Sequence, residues 1–257
     1  MICRPTVSAA IIALNEERNL AELLPALAWT DEIVVVDGGS SDGTVEVARS
    51  HGCQVFSRRF DHFAAQRNLA LSMARGQWVL SIDADERPTP RLVAEIQQRI
   101  ADGRCDGFRV PIRSSILGRR LRFCGTQDDC PVRLVRRGAA RWRGEVHEVL
   151  RVSGRMGRLE NWLVHRTLPD VETLLMKINR YTLLEARARV ERGRRPTRYD
   201  PWLAPPREVF RRLVWKQGLL DGPAGWTFCL LSGLSEWVLA RRHRQFWQEK
   251  ESRRLTP

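Results

Sequence analysis

Residues 76–86 read Gly-Gln-Trp-Val-Leu-Ser-Ile-Asp-Ala-Asp-Glu. The largely apolar run Trp78 to Ile82 suits a buried strand. It delivers Asp83 to the strand end, with Asp85 at i+2 and a loop holding Pro88 and Pro90 beyond. Two carboxylates so spaced can face one divalent cation. Mg²⁺ or Mn²⁺ prefers such oxygen donors and keeps positions open for substrate phosphates. A lone Asp-x-Asp is more often a solvated acidic turn. Its place after an apolar strand makes the cation reading the stronger one here.

The flanking sequence repeats the same design. Val7 to Leu14 is a β-rich apolar run that leads into Asn15-Glu16. Leu20, Leu23, Leu24 and Leu27 then mark one face of a helix. Ile33 to Val36 is a second strand, ending at Asp37 and the turn Gly38-Gly39-Ser40-Ser41-Asp42-Gly43. Thr44 to Ser50 and Phe63 to Ala74 read as helices around a short strand, Cys53 to Phe56. Pro90 opens a helix carrying Leu92, Val93, Ile96 and Ile100, as proline does at a first turn. Alternation of this kind predicts an α/β fold with a mostly parallel sheet, and ligands outside the C-terminal strand ends. Asn15-Glu16, Asp37 and Asp83-Asp85 all fall at such ends.

From about Gly107 to His165 the pattern changes to short strands: Phe108 to Ile112, Val132 to Arg136, Val146 to Val149 and Leu159 to Val164. Beyond Asp170 it is helical to about Arg192. A proline-rich break follows (Pro196, Pro201, Pro205, Pro206), then helices from about Arg207 to Gln217 and from Ala224 to Glu249. The expected organisation is an α/β domain over 1–169, in two parts (1–105 and 106–169), and a helical region over 170–257.

Charge divides along the same line. Of 43 basic residues 40 are arginine, and the net charge is +13. Through Asp102 there are 10 basic and 14 acidic residues; beyond it there are 33 and 16. The basic half suits an anionic partner. The hydrophobic fraction of 43% excludes a disordered or fibrous chain. Six scattered cysteines without Cys-x-x-Cys argue against a zinc site or a disulfide framework. Neither a secretory signal nor a clear transmembrane run is apparent. No Walker loop, Gly-x-Gly-x-x-Gly or Gly-x-Ser-x-Gly occurs.

Further side chains could carry chemistry. Asp37 beside its glycines could accept from a base or ribose, or the turn could cap the next helix through Ser41 or Asp42. Arg67 could serve a nucleotide base or phosphate and Asn68 could cap or orient the loop, or the two could be a surface helix pair. Glu145, His147 and Glu148 form a cluster that could take a proton from a sugar hydroxyl. His165 could offer imidazole to the cation or do ordinary core duty. Asp129 and Asp128 are second-rank bases that could instead pair with Arg133 or Arg136.

The stretches SAAIIALNEERNL, IVVVDGGSSDGT, AAQRNLAL and GQWVLSIDADE resemble family two glycosyltransferases of the GT-A fold. RLVRRG, EVHEVL, LVHRTL, KINRYTLLEA and GLLDGPAGW are similar to the bacterial branch that adds glucose β-1,4 to inner-core heptose of lipopolysaccharide. The resemblance implies inverting transfer from a nucleotide-diphosphate sugar with a divalent cation, Mg²⁺ or Mn²⁺, and makes 1–169 the catalytic domain, with a nucleotide-sugar half (1–105) and an acceptor half (106–169). It places Asn15, Glu16, Asp37, Arg67, Asn68 and Asp83 around the nucleotide sugar, and Asp83, Asp85 and His165 around the metal. Glu148 falls at the base position, within Val146-His147-Glu148 where relatives have a Glu-Asp pair; Asp129 is the other candidate. Thr126-Gln127-Asp128-Asp129 replaces an aromatic-rich stretch of that branch, so the acceptor side differs.

Trp226, Leu230, Leu231, Leu234 and Trp237, followed by Arg241, Arg242 and Arg244, suit a helix on anionic lipid or one packed against protein. The expected partners are the donor, a phosphorylated glycolipid acceptor and an anionic membrane surface, without nucleic acid. The expected location is cytoplasmic, on the inner face of the cytoplasmic membrane. The rival readings are hexose transfer to a polyprenyl phosphate and a basic nucleic-acid-binding protein.

Overall fold

The computed structural model describes residues 4–116, 119–125, 129–144, 148–168 and 171–255. The chain divides into two compact units: Met1–Arg113 with Asp129–His165, and Ser114–Asp128 with Arg166–Pro257. Ser114–Asp128, which the sequence reading puts in the acceptor half, therefore falls in the second unit.

The first unit opens with β1 (Val7–Ala13), α1 (Glu17–Ala26), β2 (Glu32–Asp37), α2 (Thr44–Ser50), β3 (Gln54–Ser57), α3 (Phe63–Met73) and β4 (Trp78–Ser81). Then come β5 (Glu86–Pro88), α4 (Pro90–Ala101), β6 (Gly107–Arg109) and β7 (Ile112–Ile116), which crosses into the second unit. β8 (Arg119–Arg120) lies wholly there. The chain returns for β9 (Val132–Arg136), β10 (Ala140–Arg143), β11 (Val149–Val152), β12 (Met156–Arg158) and β13 (Leu163–Leu168).

Seven strands form one sheet in the order β12-β6-β9-β4-β1-β2-β3. The pairs β4–β1, β1–β2, β2–β3 and β12–β6 are parallel; β9 is antiparallel to β4 and β6. β10 and β11 pair as a separate antiparallel ribbon. Leu20, Leu23 and Leu27 of the α1 region and Leu92 and Ile96 of α4 are fully buried with Ile11, Val35 and Leu80. The i, i+3, i+4 apolar faces thus cover the sheet as their spacing predicts.

Two sequence-predicted strands differ for identifiable reasons. Phe108 to Ile112 splits into β6 and β7 around Pro111, which has no N–H for a ladder. Leu159 to Val164 starts late as β13 because the Glu95 carboxylate takes the Glu160 and Asn161 N–H groups at 2.8 Å each, holding them as a loop. The Val146 to Val149 prediction lies mostly outside the described residues; β11 begins at Val149.

The second unit adds α5 (Val171–Glu191), α6 (Asp200–Phe210), a π-helical turn (Arg211–Trp215), a 3₁₀ turn (Gly218–Asp221) and α7 (Gly222–Leu255). The expected proline break is partly helix. Pro201 sits in the first turn of α6, where its missing N–H is not needed, but Pro205 and Pro206 lie inside it. Tertiary packing overrides their poor propensity. A Cβ on Gly233 of α7 would stand 2.5 Å from Val209 Cγ2, so glycine is what lets α6 approach.

The GLLDGPAGW stretch has a packing role. Asp221 accepts from the Arg122 and Phe123 N–H groups at 2.9 Å each, and Gly218 leaves room for Cys124 Sγ. In KINRYT, Asn179 and Thr182 receive the Arg242 guanidinium, tying α5 to α7. Among the described residues, no helix is long and apolar enough to cross a membrane. The described cysteines are all free.

Two stability predictions follow from this packing. A Cβ on Gly76 would lie 2.7 Å from the Ser8 backbone nitrogen on buried β1. Gly76→Ala is expected to lower unfolding free energy in urea by about 1–3 kcal/mol, the usual cost of overpacking. In the second unit, His243 is buried, and its Nε2 lies 2.8 Å from the Arg194 carbonyl. Burial pushes its pKa below the ordinary 6.5, so the unfolded chain binds the proton first as pH falls. Thermal stability should therefore drop as pH is lowered below about 6.5, and His243→Asn should flatten that slope.

Candidate active site

Parallel register brings the C-terminal ends of β1, β2 and β4 to one sheet edge: Ala13 lies beside Asp37, and Ala10 beside Ser81. The residues after these strands meet there. Asn15 has φ 57°, a left-handed conformation that asparagine tolerates better than most residues. Its N–H donates to Ser40 Oγ at 2.9 Å, and its Oδ1 accepts from the Ser41 N–H at 2.8 Å. The Glu16 N–H donates to Thr44 Oγ1 at 2.8 Å, and Glu16 Oε2 accepts from Asn19 at 2.6 Å.

Asp37 is buried and accepts from the Gly39 N–H at 3.0 Å and from Ser40 Oγ at 2.5 Å, closing its own turn. Ser41 does not cap α2. Glu17 takes the Gly43 N–H at 3.1 Å, and Asp42 takes the Thr44 N–H at 3.1 Å. A Cβ on Gly43 would meet the Glu17 carboxylate at 2.8 Å. Asn15, Glu16 and Asp37 thus share one interlocked rim.

The second cluster is built on α3 and the end of β4. Arg67 is buried, and its Nη2 lies 2.7 Å from Asp83 Oδ1. Its Nε donates to Glu148 Oε1 at 3.1 Å, and the guanidinium stands over the Trp142 ring at 4.8 Å. Arg133 of β9 brings Nη2 within 2.8 Å of Asp83 Oδ2 and 2.5 Å of Glu86 Oε1. The Asp83 N–H in turn donates to Glu86 Oε2 at 3.0 Å. Across β5 and β13, His165 pairs with Glu86 in register, which sets its Nε2 3.2 Å from Asp85 Oδ1.

The protonation states follow from this arrangement. Burial alone would raise the Asp83 carboxyl, but the Arg133 and Arg67 guanidiniums outweigh it and hold it well below the usual range. Glu86 is the opposite case. Burial pushes it up to about 7, with the Asp83 charge helping and Arg133 opposing. Burial also disfavours charged His165, yet the hydrogen bond and charge of Asp85, then Glu86 and Asp83, leave its pKa raised.

The sequence candidates divide accordingly. Asp83, Asp85, Arg67, Glu148 and His165 come together. Asn68 sits next to them in a backbone role: its Nδ2 donates to the Trp142 carbonyl at 3.0 Å, and its Oδ1 accepts from the Trp142 N–H at 2.9 Å. The amide therefore acts as an extra rung that fixes β10. Asp129 is exposed, with its carbonyl accepting from the Ile112 N–H at 2.9 Å. For Asp129 the alternative of an ion pair with Arg133 or Arg136 is not what the described residues show: Arg133 pairs with Asp83 and Glu86, and Arg136 with Asp106 at 3.2 Å. Glu145, His147 and Asp128 lie outside the described residues.

Sequence reasoning missed Arg133, Glu86 and Trp142 as members of the site. The available signal was Arg133 itself, an arginine between Val132 and Leu134 in a strand pattern, since a buried charge must find partners.

For a cation, the donor chemistry fits at one place. Both Asp83 oxygens already face guanidiniums, whereas Asp85 and His165 set a carboxylate oxygen and an imidazole nitrogen against each other. Among the described residues, no group of three or more histidine, cysteine or acidic side chains converges as a metal cage. Two protein donors suit a hard cation that takes its remaining positions from phosphate and water.

The glycosyl transferase family 2 profile matches residues 8–144. The chain is 31% identical over 256 residues to lipopolysaccharide core biosynthesis glycosyltransferase LpsC of Rhizobium meliloti, covering 95% of each. An uncharacterized glycosyltransferase of Rickettsia typhi is 28% identical over 74% of this chain and 70% of that one. Among solved structures, Staphylococcus aureus TarS 1–349 aligns over 96% of this chain and 91% of that one, at 14% identity and TM-score 0.49. Glucosyl-3-phosphoglycerate synthase from Mycobacterium tuberculosis, solved with Mn²⁺ and UDP-glucose, aligns over 42% of this chain and 44% of that one, at 25% identity and TM-score 0.38. The mostly parallel sheet, its flanking helices and the long C-terminal helix agree with the GT-A fold expected from the sequence. By its family profile and its full-length relative, this chain belongs to glycosyl transferase family 2 and is a glycosyltransferase.

Proposed function

We propose that the chain transfers a hexose, with glucose the first candidate, from a nucleotide-diphosphate donor to a lipopolysaccharide-core acceptor, with inversion at the anomeric carbon. The observation that carries this reading is the arrangement at the end of β4. Asp85 and His165 face each other, Asp83 is clamped beside them, and Glu148 is held by the same arginine that holds Asp83. The lipopolysaccharide core enters through the Rhizobium meliloti relative, a lipopolysaccharide core biosynthesis glycosyltransferase.

In this reading Asp85 and His165 hold a divalent cation, Mg²⁺ or Mn²⁺. When bound, the cation offsets charge that develops on the departing nucleoside diphosphate. Asn15, Glu16 and Asp37 form the nucleotide side of the pocket. Glu148 is the base. Its Oε1 is occupied by Arg67, and its Oε2 takes no hydrogen bond from the described residues. That oxygen receives the acceptor hydroxyl proton as the hydroxyl oxygen bonds to the anomeric carbon and the bond to the diphosphate breaks. Arg67 and Asn68 act as positioning residues, one through Asp83 and Glu148, the other through β10. Membrane association of the second unit belongs to the same proposal, since the acceptor is a glycolipid.

The direct test combines thermal shift against nucleotide sugars, with and without Mn²⁺, and mass spectrometry on truncated lipopolysaccharide cores. A stabilising donor that adds one hexose to a core is the expected result; no transfer from any donor would reject the reading. Asp85→Ala should abolish cation-dependent turnover while the melting curve stays that of the parent, and unchanged turnover would remove the metal assignment. Glu148→Gln keeps an oxygen for Arg67 but cannot take a proton. It should leave donor affinity intact and slow transfer by about 10²-fold or more, the range for loss of a general base. If Asp129→Asn has that effect instead, the base is Asp129.

A further inference from the structure

The exposed face of α7 changes character half-way along. Trp226, Leu230, Leu234 and Trp237 recur at steps of three or four residues and continue without a shift of face into Arg241 and Arg244. The apolar half is open to solvent: Trp226 is 47% exposed and Leu230 60%. On α6, Trp202 is 75% exposed. A monomer seldom leaves so much aromatic surface uncovered unless it meets a partner.

Two adjoining cavities give this face a shape. One, of about 350 Å³, is an apolar cleft between α6 and α7, walled by Pro205 and Val209 on one side and Leu230 and Leu234 on the other. Gly233 permits the close approach that closes its floor. The other, of about 810 Å³, is lined by Arg241, Arg244, Gln245 and Gln248. Trp202 and Trp237 line both cavities, so the apolar cleft opens onto the arginine pocket. Arg241 stands over the Trp237 ring at 4.9 Å. Arg241 and Arg244 are exposed and form no ion pair with a described residue. Arg242, by contrast, is committed to Asn179 and Thr182.

We propose that the second unit carries a binding site for one anionic phospholipid of a membrane surface. An acyl chain lies in the α6–α7 cleft, and the lipid phosphate sits against Arg241 and Arg244, beyond the Trp202–Trp237 pair. The dimensions agree. Along α7 the cleft runs from Leu230 to Trp237, a rise of about 10 Å, which lies within the depth of one hydrocarbon leaflet, about 15 Å. Tryptophan belongs at the boundary between chain and headgroup, and charge complementarity selects an anionic lipid over a neutral one. The site rests on the membrane association proposed above but lies on the second unit, so Asp85→Ala protein should bind lipid as the parent does.

The test is flotation of the full chain with phosphatidylglycerol or phosphatidylcholine vesicles, together with quenching of tryptophan emission by brominated acyl chains. The parent should float with phosphatidylglycerol only, and brominated lipid should quench it. Arg241→Gln/Arg244→Gln should weaken partitioning by about tenfold or more, since each basic residue near an anionic surface contributes about a kilocalorie per mole. Trp202→Ala/Trp237→Ala should lose most of the quenching. Glycerol phosphate should not displace the protein from vesicles; displacement would mean that the pocket reads a soluble phosphate, and the lipid proposal would fall. It would also fall if the arginine variant floats like the parent. A stable dimer by sedimentation, unaffected by vesicles and broken by Trp202→Ala, would assign the cleft to a second copy instead.

Discussion

The Arg67 guanidinium is the constraint on which the site depends. Buried on α3, it touches Asp83 at the end of β4, Glu148 ahead of β11 and the face of Trp142 on β10. A buried cation without partners is costly, so these carboxylates are required by the arginine as much as it is required by them. The planar fork of arginine makes this possible. Nη2 and Nε point to different acceptors while the flat face stays free to stack, which a lysine ammonium cannot reproduce. A change at Arg67 therefore moves Asp83 and Glu148 together, and a double-mutant cycle would report coupling between residues that are distant in sequence.

Arg133 divides the work among the acids. With two guanidiniums on Asp83, that carboxylate is fixed in the ionised form and its oxygens are directed. Glu86 stands behind it without exposed surface, raised by burial, and its second oxygen receives the Asp83 N–H. The loop after β4 is thereby held at backbone and side chain alike. Asp85 is left to turn toward His165, whose own position is set by strand register with Glu86. Rigid support of this kind is what keeps reacting groups in productive geometry.

Much of this was legible in sequence because it is written in local pattern. The run before Asp83, the Asn15 turn and the Asp37 turn are strand ends in an alternating α/β sequence, and such ends meet by topology. The partners of Arg133 were not legible, because they are chosen by antiparallel pairing of β9 beside β4, a long-range choice that local periodicity does not encode. For Asn68 the residue reading offered an orienting role, and the family resemblance set it beside the nucleotide. Adjacent residues on a helix point in different directions, and Asn68 turns to the β10 backbone. Pro205 and Pro206 signalled a break, yet packing of α6 against Gly233 kept the helix.

The charge asymmetry also changes meaning once the partners are known. Many arginines of the basic half are spent internally: Arg133 on Asp83 and Glu86, Arg136 on Asp106, Arg189 on Glu185, Arg212 on Glu208 and Arg242 on α5. Net charge alone therefore overstates the surface available to a polyanion. Two groups of the remaining arginines line cavities. Arg137, Arg141, Arg143 and Arg151 line a groove of about 660 Å³ beside β10 with no carboxylate in its lining, and Arg241 and Arg244 stand at the end of the apolar cleft. A groove of single sign raises the local concentration of anions far more than the same charges scattered over a sphere. Within the positive half, these two groups, one on each unit, are the ones set beside aromatic or backbone structure that can give them selectivity.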